Sequence, residues 1–141
     1  MSKAAAKTKV VLDPSFPKGK FKVTHEADAD WQVGLRPHLK YRDLGMDAPS
    51  GGRVHAHVHI NNGPSPGPSD LHYHDCDFHM IYVLKGWGRM EFEGVGEVIL
   101  KEGSCMYQEP GLAHRLIEYS DDYKVMEITI PGEIGTVTVR D

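Results

Sequence analysis

The chain is poor in the features that mark several function classes. It has two cysteines, Cys76 and Cys105, too few for a disulfide-stapled secreted scaffold, and they read as reduced thiols. It has no basic stripe: 16 Lys and Arg stand against 20 Asp and Glu, a net charge of −4 with histidines neutral. A nucleic-acid partner is therefore not expected. No apolar run approaches the roughly 20 residues of a membrane-spanning helix. The opening MSKAAAKTK has no apolar signal core, so a cytoplasmic protein with no membrane partner is expected. There is no Gly-rich phosphate loop between strand and helix and no G-x-S-x-G turn, which disfavours nucleotide-dependent and serine-hydrolase chemistry. No window of helical length carries a helical apolar stripe.

What is present is strand pattern. The 141 residues suit one domain with one core. Residues 1–20, rich in Lys, Ala, Pro and Gly, are expected to be a mobile N-terminal arm, and 21–141 a single domain. Arg53–Ile60 (RVHAHVHI) alternates strictly between glycine-rich turns, a strand signal. The NNGPSPGPSD that follows must be a loop. From His79 onward, β-branched and aromatic runs recur between Gly, Pro-Gly and Asp-Asp breaks. About nine to eleven short strands result, which predicts an all-β sandwich or barrel.

Histidine is the residue in surplus, with nine copies. In HYHDCDFH, His72 and His74 lie two apart, and on a strand they point the same way. Two such rings can share one metal ion at about 2.0–2.2 Å each. His79 follows after a four-residue connection that can return the next strand alongside. Far downstream, the Pro110-Gly111 turn can aim His114 at a site built elsewhere. In the separate row His55, His57 and His59, the aliphatic face (Val54, Ala56, Val58, Ile60) is expected to pack inward and the histidine face to meet water or a partner subunit. The other reading turns His57 into the interior toward a substrate. His25 and His38 are expected on the surface. Alternation from His114 sends Leu116 and Glu118 inward, making Glu118 a candidate catalytic base, with a rim charge as the alternative. Of Met106-Gln108 and Cys105-Tyr107, one pair should face the interior.

These residues resemble the two motifs of the cupins. The first runs H-x-H, a short spacer, Glu, six residues, Gly. Here it reads His72-Tyr73-His74, four residues, His79, six residues, Gly86. The second reads Gly103, Pro110-Gly111, Leu112-Ala113, His114. The resemblance implies a single-domain cupin-type β-barrel, a double-stranded β-helix or jelly roll, with core motifs over about residues 51–131. It also implies one divalent transition metal ion held by His72, His74, His79 and His114, with His79 standing where the family pattern has glutamate. Four neutral imidazoles leave the ion's charge intact, which favours an anionic or enolate ligand. They suit Fe, Mn, Ni, Zn or Cu rather than Mg or Ca. The implied function is a metal-dependent, dioxygenase-like enzyme on a small organic molecule such as a diketone. A non-catalytic binding or sensing protein and a metal-free isomerase or epimerase are the alternatives. The implied assembly is a homodimer.

Overall fold

The computed structural model describes residues 9–34 and 36–140. Apart from one 3₁₀ turn at Glu26–Asp28, its regular elements are strands: β1 (Gln32–Val33), β2 (Leu39–Asp43), β3 (His55–Asn61), β4 (Leu71–Asp75), β5 (Phe78–Lys85), β6 (Trp87–Phe92), β7 (Gly96–Lys101), β8 (Cys105–Tyr107), β9 (His114–Tyr119), β10 (Lys124–Ile130) and β11 (Gly135–Arg140). They form two antiparallel sheets, ordered β1-β2-β3-β10-β5-β8 and β11-β4-β9-β6-β7. This is the expected all-β jelly roll. Of the arm expected over residues 1–20, positions 1–8 lie outside the described residues; residues 9–20 form no strand and are exposed.

The interior is divided along its length. At one end Leu39, Ile81, Val83, Met90, Phe92, Leu100, Tyr119, Tyr123 and Val125 form the apolar core. Val83 and Val125 have no exposed surface. At the other end the inward positions are polar. On β10, Val125 is followed on the same face by Glu127 and Thr129, and across the sheet these register with Val83, Ile81 and His79 of β5. Burying each core aliphatic contributes about 1.5–3 kcal/mol, so the apolar end carries the stability that the polar end does not.

Strand β3 differs from expectation. Both of its faces are covered: Ala56 and Val58 are buried on one, and His59 is buried on the other. The histidine face is the one that looks into the barrel, because β10 places Glu127 directly across from His57. His38 also departs from its expected surface position. It is half-buried and stacks on Tyr119 with ring centroids 6.0 Å apart. Of the two pairs on and after β8, Met106 packs against the core and Gln108 is buried, while Cys105 and Tyr107 are exposed. Both cysteines are free.

The motif glycine Gly86 joins β5 to β6 with φ +72°, and a Cβ added there would run into Ser120 Oγ and Asp122 Oδ1. Strained backbone and lost space act together, so Gly86→Ala should lower the unfolding free energy by about 1–3 kcal/mol, read from urea denaturation.

Candidate metal centre

The two sheets bring the distant motifs together. His72 of β4 and His114 of β9 are direct register partners, and their ring centroids lie 4.4 Å apart. His74, two residues along β4, sits 5.0 Å from His72 and 5.1 Å from His114 by the same measure. One ring nitrogen from each of the three lies within 4.8 Å of the other two.

Their tautomers are set from behind. His72 Nδ1–H donates to the Asp70 carbonyl at 2.9 Å, and His114 Nδ1–H donates to the Leu112 carbonyl at 2.9 Å. Each ring therefore reaches back two residues along its own chain. His74 Nδ1 pairs with Thr136 Oγ1 on β11 at 3.0 Å. With the three Nδ1 atoms engaged, Nε2 is the nitrogen each ring can offer a common ligand, which at His72 would displace the Arg36 guanidinium and at His114 the Gln108 amide. This backing of metal-binding imidazoles by protein oxygens fixes ring orientation and raises basicity. A divalent transition ion fits this donor set. Buried Gln108 places its amide nitrogen 3.1 Å from His114 Nδ1, while its Oε1 is buried with no partner, a spare acceptor in the cavity wall.

His79 is placed differently from the other three. It is 2 % exposed, and its ring lies 5.4 Å from that of His74. Its Nε2 is turned to Glu127 Oε2 at 2.6 Å, and its Nδ1 is buried without a partner. Glu127 collects two further imidazoles, His57 Nε2 at 3.2 Å and His59 Nε2 at 3.0 Å. Sequence reasoning missed this carboxylate. Nothing local marks it, since it lies in the strand-like run KVMEITI, 70 residues from His57.

Glu118 lies outside the cavity, contrary to the alternation from His114. The β6–β9 ladder pairs Met90 with Leu116 but Arg89 with Glu118, so Ile117 is one residue extra and the alternation changes phase. Tyr119 turns inward in place of Glu118. Glu118 is half exposed and pairs with Arg89 at 3.0 Å.

A cationic side chain also borders the centre. Arg36 donates through Nη2 to His72 Nε2 at 2.9 Å and faces Asp70 at 3.5 Å. Adjoining cavities meet here, sharing Arg36, Tyr41, His74, His79 and Glu127.

Burial, reinforced by neighbouring histidines, pushes His74 down to about 4 and His114 down to about 3. His72 is lowered by burial and by the Arg36 guanidinium. Glu127 is held well below the usual carboxylate range: burial opposes this, and the hydrogen bonds from His57, His59 and His79 outweigh it. Depressed imidazoles exclude protons in the folded state while the unfolded chain still takes them up near pH 6.5. The metal-free protein should therefore lose stability as pH falls from about 6.5 towards 4, by about 2–3 kcal/mol for each of His74 and His114, partly offset by groups shifted the other way. Urea unfolding at stepped pH reads the slope; a flat profile would show the three rings to be solvated. Added Zn²⁺ should bind with nearly constant affinity above about pH 6, which calorimetry measures.

The comparisons with known proteins agree with this fold. No curated protein matches the chain in sequence. In structure it is similar to the polyketide cyclase RemF from Streptomyces resistomycificus (20 % identity, TM-score 0.70, 85 % of this chain and 86 % of that one). It is also similar to KdgF from Halomonas sp. (18 %, 0.60, 78 % and 94 %) and to a salicylate 1,2-dioxygenase from Pseudaminobacter salicylatoxidans (9 %, 0.59, 76 % and 32 %). Among the described residues, no helix is long and apolar enough to cross a membrane. The family model described as a cupin domain matches residues 56–131, and with both histidine motifs meeting inside a jelly roll, the chain belongs to the cupins.

Proposed function

We propose that this cupin is a metal-dependent enzyme acting on a small enolisable molecule such as a diketone, with dioxygenase-like turnover. The observation that carries the reading is the cluster of His72, His74 and His114, one ring nitrogen of each lying within 4.8 Å of the other two and each ring held through Nδ1. Bound there, a divalent ion supplies Lewis-acid stabilisation of an enolate and, where redox active, a route to O₂. The ligands are neutral, so the site keeps a positive charge, and the Arg36 guanidinium beside His72 adds to it. An anionic substrate oxygen is the natural partner of such a site. Glu127 is the carboxylate that borders the cavity, and it takes the place of Glu118 as the candidate base. His79 serves as a pocket residue that holds Glu127. The likeness to a polyketide cyclase and a salicylate dioxygenase supports small-molecule carbonyl and oxygen chemistry on this scaffold, although fold alone does not assign activity.

Metal analysis of protein purified without a nickel column should find one transition ion per chain, and His74→Ala should lose most of it. Oxygen uptake with a panel of 1,3-dicarbonyls should appear in the protein loaded with Fe, Mn, Ni or Cu. Uptake with none of these loadings would sink the dioxygenase reading.

A homodimer fits the outer face of the six-stranded sheet, where Tyr82, Leu84 and Tyr107 are 37 %, 38 % and 59 % exposed. Light scattering after gel filtration should give twice the 15.7 kDa chain mass; a monomer mass refutes it.

A further inference from the structure

A second histidine system runs away from the metal centre, toward solvent. Asp47 Oδ2 meets His55 Nδ1 at 2.8 Å. His55 Nε2 meets His57 Nδ1 at 2.9 Å. His57 Nε2 meets Glu127 Oε1 at 3.2 Å. Side-chain exposure falls steadily along this line: 40 % at Asp47, 24 % at His55, 18 % at His57 and 17 % at Glu127, then 3 % at His79 beyond it. The inner end borders the cavity of the metal centre.

Counting protons shows what the chain needs. Three hydrogen bonds link the four groups, and each requires one proton. Two neutral imidazoles carry one N–H each, which leaves one bond without a proton. The line is complete only with one extra proton between two carboxylates. That proton can sit on either imidazole or pass to either carboxylate, and the hydrogen bonds that hold Glu127 well below the usual carboxylate range keep it on the histidines at rest. A buried array in which every bond is made only by an extra shared proton can pass that proton from end to end.

We propose that Asp47, His55, His57 and Glu127 form a proton relay that carries protons between solvent and the metal cavity. The proposal deepens the enzymatic reading above, and its use in turnover rests on that reading. Running inward, a proton entering from water at Asp47 passes to His55 Nδ1, His55 Nε2–H moves to His57 Nδ1, and His57 Nε2–H passes to Glu127. The O–H bond of Glu127 then breaks as its proton passes to the substrate, and both rings return to their Nε2–H form before the next passage. One proton enters and one leaves, with no other reactant. Running outward, the same shifts in reverse remove a proton taken from an enolisable carbon. Glu127 touches the substrate and is the base; Asp47, His55 and His57 act through it.

The surroundings hold the line in register. Tyr41 sets its ring edge-on to His57 at 5.1 Å and tilted against His59 at 5.6 Å. Asp43 of β2 lies opposite His57 in the ladder, and His59 and His79 pin the Glu127 carboxylate from the other side. At the outer end, Gly132 makes room for Asp47: a Cβ there would stand 2.6 Å from Asp47 Oδ1. Although burial opposes it, the hydrogen bond and charge of Glu127, with Asp43 and Asp47, raise His57 above its ordinary value. This accords with an extra proton resident on the line.

The test is a ring-nitrogen NMR titration of full-length protein labelled with ¹⁵N-histidine, between about pH 5 and pH 9. His55 and His57 should titrate as one coupled step with a common midpoint. Asp47→Asn, at the exposed end, should move the His57 midpoint down by about one pH unit through two intervening hydrogen bonds. His57→Gln should return His55 to the curve of an isolated histidine paired with Asp47. Separate midpoints, or an Asp47→Asn effect confined to His55, would show a static ion-pair cluster and overturn the relay. Zn²⁺ binding by the same samples keeps the two readings apart. Asp47→Asn should bind as much as wild type; if wild type binds none, the metal-centre reading fails while the coupling result still decides the relay.

Discussion

An imidazole removed from water needs at least one partner for its ring nitrogens, and this requirement organises the polar end of the barrel, where only His59 Nδ1 and His79 Nδ1 among the described ring nitrogens are buried without one. The partners come in two kinds. For His72, His74 and His114 they are a carbonyl or hydroxyl oxygen behind each Nδ1, with Arg36 and Gln108 at the Nε2 atoms of His72 and His114. For His57, His59 and His79 the partner is one carboxylate, Glu127. Without it three Nε2 atoms would be stranded, and without them a charged carboxylate would be buried at a cost of several kcal/mol. The two histidine sets lie back to back, and the Glu127–His79 pair is the seam between them.

This arrangement explains why the interior is split along its length. The apolar core around Val83 and Val125 can pack closely because its aliphatic side chains have no hydrogen bonds to satisfy. The opposite end gives up that packing for hydrogen bonds that are modest in net stability but strict in direction. Strands run through both halves without interruption: β5 supplies Val83 and Ile81 to the core and His79 to the site, and β10 supplies Val125 and then Glu127. The apolar half thus fixes the geometry of the polar half within the same elements, which is the condition for a preorganised site.

Much of the fold was legible because its signals are local. Alternation in RVHAHVHI, the Pro-Gly and Gly turns, and the lack of helical periodicity all report backbone preferences within a few residues. The H-x-H pair was legible for the same reason, and so was the turn that delivers His114. The failures have one cause in common. Counting along β9 sends Glu118 inward, and a single extra residue at Ile117 reverses the count. Aliphatic side chains usually fill cores, which points the β3 histidines outward, and the carboxylate that offsets the opposite choice lies on a different strand.

The sequence by itself determined the strand pattern, the histidine-bearing motifs, and which nitrogen-rich segments could meet an ion. Those depend on spacing along one strand or across one turn. Only the tertiary structure decided which face of β3 is inside, that His79 turns to Glu127, and that Asp47 ends a continuous line of hydrogen bonds. Those depend on register between strands far apart in the chain, where a shift of one residue exchanges the two faces of a sheet.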